Sequence, residues 1–217
     1  MDFEQARFNM VEQQIRPWEV LDQEVLDLLF AVKREEFVPP VYRALAFADL
    51  EIPLGHGAEM LAPKVEAKLL QALKLRRSDK VLEVGAGSGY MAALMAARSD
   101  HVYTVEIVPD LAEMARANLA RAGVENVTVE IGDASGGWPA HAPYDVIVVS
   151  GALAELPGEL LGELKPGGRL AAFVGEPPVI EARLLTRRAD GGLETVNLFE
   201  TDVAALRNAP RANRFRF

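Results

Sequence analysis

From residue 80 onwards, short apolar runs alternate with stretches of helical pattern. In chain order these segments are Lys80–Val84, Tyr90–Ala97, Val102–Val105, Leu111–Ala122, Val127–Ile131, Tyr144–Val149, Glu159–Leu164 and Leu170–Val174. Strands that are apolar throughout, without alternation, are expected where helices cover both faces of a parallel sheet. The pattern therefore predicts an α/β fold in which a doubly wound, mostly parallel sheet has helices on both faces.

Two later runs predict an antiparallel edge on this sheet. Ile180–Arg187 and Glu194–Glu200 flank Asp190-Gly191-Gly192, and paired turn residues of this kind are typical of a β-hairpin. With the five earlier strands they bring the predicted sheet to seven strands.

The first 60 residues have a different pattern, which predicts an N-terminal helical extension, with residues 61–217 forming a single compact domain. One helix is predicted over Phe3–Ile15, before Pro17. A second is predicted from the spacing of Val25, Leu28, Leu29 and Val32 behind Asp22, ending at Pro39-Pro40. The stretch Ala48–Pro63 is interrupted by prolines and glycines and is predicted to be loop, and a further helix begins at Pro63.

The composition excludes several classes of function. The chain has no cysteine, and His56, His101 and His141 lie in separate segments, so we predict no metal site. A net charge of −9 argues against extended contact with nucleic acid or anionic lipid. No apolar run reaches the ~18 residues of a membrane span, and a cytoplasmic location is expected.

A local excess of basic residues at the end of the chain is expected to be a solvated strand or a tail packed on an acidic surface. Its members are Arg207, Arg211, Arg214, Phe215, Arg216 and Phe217.

The glycine-rich segment Gly85-Ala-Gly-Ser-Gly89 joins the first apolar run to a helix. Glycines allow a tight turn and close approach of a ligand to the backbone, and helix N-terminal amides offer donors. The spacing G-x-G-x-G differs from the dinucleotide fingerprint G-x-G-x-x-G, and no Lys-Ser or Lys-Thr follows as in a P-loop. Ser88 lacks the flanking glycines of a nucleophile elbow.

Two carboxylates follow the next strands, at the edge of the sheet where open α/β folds bind ligands. Glu106 ends the second run, where it can accept hydrogen bonds from a ribose diol, and Asp133 follows the third, within reach of an adenine amino group. The combination predicts a site for an adenosine without phosphates. The candidate binding residues are Glu83, Gly85, Ala86, Gly87, Ser88, Gly89, Glu106, Ile107, Gly132, Asp133 and Ala134.

These motifs resemble those of class I S-adenosylmethionine-dependent methyltransferases. Further segments, in order and spacing over about residues 5–176, resemble the protein-L-isoaspartate O-methyltransferase family. They are Val32–Pro39, Ala46–Asp49, Leu54–Gly57, Ala142–Ile147 and Leu164–Leu170 followed by Val174-Gly175. The resemblance implies S-adenosyl-L-methionine as cofactor and an isoaspartyl protein or peptide as partner. It also implies that residues 1–60 carry the substrate-side loop.

The sequence departs from the family after Leu54–Gly57. The resemblance would place Gln-Thr-Ile-Ser there, with hydroxyl groups that help to bind the substrate and cofactor carboxylates, whereas this chain has Ala58–Leu61. Leu61 stands at the serine position, and Glu59 would repel an anionic substrate unless it turned away or were protonated. A carboxylate acceptor is ionised near neutral pH and needs no base. For a hydroxyl or amine acceptor, His56 with Glu59 is the candidate base.

Three functions remain open from the sequence. The chain is predicted to methylate isoaspartyl residues, to bind the cofactor in a regulatory role without repair activity, or to methylate a different acceptor.

Overall fold

A seven-stranded sheet forms the centre of the computed structural model, which describes residues 2–209. Its strands are β3 Lys80–Val84, β4 His101–Glu106, β5 Val127–Ile131, β6 Tyr144–Leu153, β7 Leu164–Glu176, β8 Val179–Arg187 and β9 Leu193–Thr201. A separate two-stranded sheet contains β1 Ile52–Gly55 and β2 Ala58–Met60. The helices are α1 Phe3–Met10, α2 Gln23–Ala31, α3 Pro63–Leu73, α4 Tyr90–Ala96, α5 Pro109–Arg121 and α6 Gly158–Gly162.

The large sheet has the order β5-β4-β3-β6-β7-β8-β9. The first five strands in this order, β5, β4, β3, β6 and β7, pair in parallel. Strand β8 is antiparallel to β7, and β9 is antiparallel to β8. The predicted α/β class, the seven strands and the antiparallel hairpin are confirmed. Val84 of β3 pairs with Val105 of β4, and Glu106 with Ile131 of β5, so the carboxyl ends of these strands meet at one edge of the sheet.

The N-terminal segment is helical as predicted, with two corrections. The predicted helix 3–15 divides into α1 and a π-helical segment, Val11–Ile15. Helix α2 is capped by Asp22, whose carboxylate accepts from the Glu24 amide at 2.9 Å, but it ends at Ala31 and does not continue to Pro39-Pro40. The chain turns there and brings Arg34 into the interior, where the side chain is fully buried.

The predicted loop 48–63 is wrong in part, because it contains the hairpin β1–β2. Ile52 pairs with Met60, and both are buried with Leu54. Pro53 is compatible with an edge position, since this sheet has only two strands. At the turn, His56 has a φ of 55° and lies between Gly55 and Gly57 at 87° and 72°.

Two boundaries on the far side of the sheet also differ from prediction. Helix α6 is shorter than the predicted 159–164 because Leu164 already begins β7. Strand β6 continues past Val149 to Leu153, with a register shift against β7 between Val148 and Ala152. The extension carries the end of β6 to the edge where β3, β4 and β5 also end.

The N-terminal segment shares one apolar core with the sheet. Met10, Leu29 and Phe47 belong to the same buried cluster as Leu69 of α3 and Val146 of β6. Two ion pairs are buried beside this core, between Arg7 and Glu35 and between Arg34 and Glu66. None of the helices described here has the length and apolar character needed to cross a membrane.

Of the basic tail predicted at the end of the chain, Arg207 is exposed. Arg211, Arg214, Phe215, Arg216 and Phe217 lie outside the described residues.

Candidate active site

A cleft opens at the sheet edge where β3, β4, β5 and β6 end. It encloses about 690 Å³, including the solvent at its mouth, which is within the range of small-molecule sites. Its walls are Gly57–Glu59, Val84, Gly85, Gly87, Val105–Val108, Leu111, Gly132–Ser135, Ser150, Gly151 and Ala204–Arg207. The two carboxylates that follow β4 and β5 in the sequence therefore face the same space.

The glycine-rich loop reaches the cleft through backbone conformations that L side chains rarely adopt. Gly85, Gly87 and Gly89 have φ values of 96°, 50° and 83°. The Gly85 amide donates to the Val105 carbonyl at 2.8 Å, which fixes the start of the loop on β4. At its end, the Asn118 side chain of α5 donates to the Ser88 carbonyl at 2.9 Å.

Glu106 is buried beside this loop and has its carboxylate fixed by two backbone amides. Gly87 donates to Oε2 and Val108 donates to Oε1, each at 3.0 Å. Since a carboxylate oxygen has two lone pairs, each oxygen retains one for a ligand. The arrangement can accept two hydrogen bonds from neighbouring hydroxyl groups.

Asp133 lies at the end of the cleft formed after β5. Its Oδ1 accepts from the Ser135 amide at 3.0 Å, and its Oδ2 accepts from the Asn208 side chain at 2.8 Å. The hydrogen bond from Asn208 is the largest of the effects that lower the pKa of Asp133. Asp133 is therefore an ionised acceptor, suited to an exocyclic amino group.

The ring of Trp138 packs against Gly132, the residue before Asp133. A Cβ on the adjacent Gly132 would lie 2.5 Å from the Trp138 ring, so only glycine fits against it. The indole N–H donates to the Glu130 carboxylate, and the Trp138 amide donates to Glu163 at 2.9 Å.

Four of the candidate binding residues lie outside the cleft wall. Glu83 is buried; its carboxylate accepts from the hydroxyls of Thr104 at 2.6 Å and Ser150 at 3.3 Å. Burial raises the pKa of Glu83 to about 8. Ala86, Ser88 and Gly89 are also absent from the wall, whereas the remaining candidates, Gly85, Gly87, Glu106, Ile107, Gly132, Asp133 and Ala134, line it.

The three catalytic candidates are placed differently. Glu59 is exposed and lines the cleft, but Leu61 is only 6% exposed and its side chain belongs to the core. The Leu61 carbonyl accepts from Arg34 at 2.6 Å. His56 is exposed at the hairpin turn, where its Nε2 lies 3.3 Å from the carboxylate of Asp110. The structure therefore brings Glu59 to the cleft and leaves the side chain of Leu61 away from it.

A second carboxyl group, that of Glu51, contacts Glu59. Burial, followed by a hydrogen bond to Glu59, raises the pKa of Glu51 to about 8. The neutral form of Glu51 is thus favoured beside Glu59, and it can donate a hydrogen bond to the Glu59 carboxylate.

Two segments of the wall were missed by the sequence reasoning. Ser150 and Gly151 come directly after the predicted apolar run Tyr144–Val149. Glu106 and Asp133 were located by their position at the ends of such runs, and the same criterion would have found Ser150 and Gly151. The segment Ala204–Arg207 returns to the sheet edge after β9. Ala152 donates to the Ala204 carbonyl at 2.9 Å and accepts from Leu206 at 2.8 Å. No motif or periodicity marks this segment.

Comparison with known sequences identifies close similarity to one family. A family model described as protein-L-isoaspartate(D-aspartate) O-methyltransferase matches residues 5–206. A protein-L-isoaspartate O-methyltransferase of Hyperthermus butylicus is 42% identical over 204 residues, covering 89% of this chain and 85% of that protein. One from Myxococcus xanthus is 43% identical over 170 residues, covering 78% and 80%.

Solved structures give the same result for the fold. A protein-L-isoaspartate O-methyltransferase aligns with a TM-score of 0.78 and 27% identity over 92% of this chain, which spans just under two thirds (65%) of that protein. A Plasmodium falciparum protein, described as a protein-L-isoaspartate O-methyltransferase in complex with S-adenosyl-L-homocysteine, aligns with a TM-score of 0.79 and 20% identity. The alignment covers 95% of this chain and 99% of that protein.

Proposed function

Because the chain belongs to the protein-L-isoaspartate O-methyltransferase family, we propose that it transfers a methyl group from S-adenosyl-L-methionine to the carboxylate of an L-isoaspartyl residue in a damaged protein or peptide. The observation that carries the proposal is the position of Glu106. Its two oxygens are fixed by the Gly87 and Val108 amides, within the same cleft as Asp133. This geometry matches the ribose and purine ends of one adenosine.

The residues of the cleft fit the cofactor. We assign the ribose hydroxyls to Glu106, the adenine amino group to Asp133 and the close backbone approach to Gly85 and Gly87. The apolar side chains of Ile107 and Leu111 line the same wall and can contact the purine ring. When bound, the cofactor supplies a methyl group on a positively charged sulfur.

Transfer to a carboxylate needs positioning and no proton removal. One acceptor oxygen forms a bond to the methyl carbon while the carbon–sulfur bond breaks and its electron pair stays on sulfur. The products are a neutral ester and a neutral thioether, so one positive and one negative charge disappear. A water-poor cleft therefore favours the transition state over the separated charges.

We assign residues 1–60 to the acceptor side of the cleft, and place the cofactor-binding residues within residues 61–217. Gly57, Ala58 and Glu59, of the hairpin turn and β2, line the cleft together with Gly132–Ser135. A protein or peptide acceptor is preferred over nucleic acid. Within residues 2–209 the ionisable wall consists of three acids, Glu59, Glu106 and Asp133, and one base, Arg207.

One observation favours a second candidate function, methylation of a hydroxyl or amine. Glu59 lies at the cleft and contacts Glu51, whose pKa is raised to about 8 by burial and by this contact. Glu59 is the carboxylate of this pair that lines the cleft, so it is the group that would take the proton of a hydroxyl or amine acceptor.

The test uses the purified chain with S-adenosylmethionine carrying a labelled methyl group. An isoaspartyl peptide and the matched aspartyl peptide are the acceptors. We expect base-labile labelling of the isoaspartyl peptide alone, because a methyl ester hydrolyses readily. Equal labelling of both peptides, or labelling of neither while the cofactor binds, would refute the proposed acceptor and favour the second candidate.

A further inference from the structure

Arg207 is a cation at the cleft without a fixed partner in the described structure. It lines the cleft, and its Nη2 lies 3.9 Å from the position that a Cβ on Gly57 would occupy. Within residues 2–209, no carboxylate pairs with it. With respect to the described residues, the guanidinium therefore has its donors available to a ligand.

The backbone around Arg207 is anchored on both sides. Leu206 donates to the Ala152 carbonyl at 2.8 Å, and the side chain of Asn208 donates to Asp133 at 2.8 Å. Leu206 also packs closely on Gly151, where a Cβ would lie 3.1 Å from the Leu206 Cα. Arg207 is thus directed from a fixed segment toward the hairpin turn that carries Gly57.

The charges of the cleft require a cation for a carboxylate acceptor. Glu59 stands on the acceptor side, and Glu106 and Asp133 are on the cofactor side. The family's serine position offers no hydroxyl, since it is Leu61 and its side chain lies in the core. An anion that enters this cleft would meet three carboxylates and, among the described residues, a single base.

We propose that Arg207 binds the carboxylate of the methyl acceptor, and so supplies the contact that a hydroxyl at position 61 cannot make. The inference rests on the proposed function. Guanidinium donates charge-assisted hydrogen bonds to carboxylate oxygens and remains charged at every physiological pH. Donation to one acceptor oxygen holds the group in place and leaves the other oxygen free to attack the methyl carbon.

The carboxylate of the cofactor's methionine part has the same chemistry, and the experiment separates the two sources. Arg207→Gln and Arg207→Lys are compared with Arg77→Gln, which removes an exposed arginine from the loop before β3, at the opposite end of that strand. Calorimetry measures binding of an isoaspartyl peptide, and of its uncharged isoasparaginyl counterpart, to the complex with S-adenosylhomocysteine. Initial rates give KM and kcat.

If the proposal is correct, wild type and Arg77→Gln prefer the charged peptide, and Arg207→Gln loses most of this preference. We expect KM for the isoaspartyl peptide to rise about 10-fold or more, the range for a hydrogen bond to a charged group, with partial rescue by lysine. The affinity for S-adenosylhomocysteine should stay within about 2-fold.

Two results would overturn the proposal. One is an unchanged preference for the charged peptide in Arg207→Gln. The other is weaker binding of S-adenosylhomocysteine with normal binding of 5′-methylthioadenosine, which lacks the amino acid part, since this would assign Arg207 to the cofactor. Failure of the proposed function gives a different pattern: wild type would bind the charged peptide through Arg207 but transfer no methyl group to it. If wild type neither binds nor methylates the peptide, both are wrong.

Discussion

Glu106 is expected to contribute directly to the affinity for the cofactor, because both of its carboxylate oxygens are held in place by backbone amides. In Glu106→Gln one of those amides would face an N–H donor, and the charged acceptor of the ribose hydroxyls would be lost. We expect the affinity for S-adenosylhomocysteine to fall by about 1.5–3 kcal/mol. Calorimetry measures it, with Glu113→Gln on the exposed face of α5 as the control. Unchanged affinity in Glu106→Gln would show that the ribose binds elsewhere.

The buried carboxyl group of Glu83 should make the stability of the folded protein depend on pH. Burial raises its pKa in the folded protein to about 8, against about 4.5 in the unfolded chain. Between these values the folded state binds more protons than the unfolded state, so the free energy of unfolding falls as the pH rises. Its favourable contribution is complete below pH 4.5 and is lost as the pH passes 8.

The variant Glu83→Gln removes this titration. Relative to wild type, its free energy of unfolding should increase from pH 5 to pH 9, by at least about 1 kcal/mol, since each pKa unit corresponds to about 1.4 kcal/mol. Urea unfolding at both pH values tests it. The comparison cancels the contribution of Glu66, whose pKa is also raised, to about 7. Parallel pH profiles for the two proteins would contradict the prediction.

At the scale of elements, the connection from β2 to α3 determines what position 61 can do. The side chain of Leu61 packs in the core while its carbonyl binds Arg34. Leu61→Ser should therefore destabilise the fold by about 2–4 kcal/mol, because it leaves a cavity and buries a hydroxyl. It should not raise the rate of isoaspartyl methylation.

Urea unfolding and initial rates test this prediction together, and Leu61→Met, which nearly preserves the volume, is the control. A faster serine variant would mean that this connection moves during the reaction and presents position 61 to the acceptor.

The elements differ in how far the sequence could predict them. Strands β3 and β6 and the middle of β7 are buried on both faces, so continuous apolar runs reveal them, and the glycine loop is visible because its positive φ values require glycine. In β1–β2, the apolar alternation of Ile52, Leu54 and Met60 is present, but Pro53 and the turn glycines indicated a loop. Segment Ala204–Arg207 joins the cleft through the backbone N–H and carbonyl of Ala152, and side-chain patterns do not encode such bonds.

The side-chain direction at position 61 was equally outside the reach of sequence patterns. Leu61 faces the core, and its carbonyl accepts from Arg34, which comes from a distant segment. In the same way, the partner of Asp133 is Asn208, 75 positions further along the chain. Local spacing locates the acids of the cleft, and tertiary packing decides what contacts them.

At the scale of the whole molecule, Arg34 joins the N-terminal segment to the rest of the fold. Its fully buried guanidinium binds Glu66 of α3, the Leu61 carbonyl and, at 3.0 Å, the Ala46 carbonyl. Removal of one partner from a buried ion pair costs about 3–5 kcal/mol, because the other charge remains buried. We expect a loss of this size in Arg34→Met, measured by urea unfolding.

The exposed pair of Arg98 and Glu24 is the matched control, since it also joins the N-terminal segment to the sheet domain. Arg98→Met should cost less than about 1 kcal/mol. The double variant Arg34→Met with Glu66→Met should recover part of the loss of Arg34→Met. Equal effects of Arg34→Met and Arg98→Met would mean that burial of the Arg34 pair contributes little.

The packing of Trp138 on Gly132 gives the protein an optical signal. The indole ring lies against the backbone of a residue that lines the cleft, and its N–H is bound to Glu130. The second tryptophan, Trp18, lies outside the cleft, beneath the ammonium of Lys64 at 4.3 Å. A purine beside Asp133 should therefore alter the fluorescence of Trp138 and leave that of Trp18 constant. Both wild type and Trp138→Phe are titrated with S-adenosylhomocysteine, and the substitution should abolish the change in emission. This result would show that occupancy of the cleft can be followed without a label.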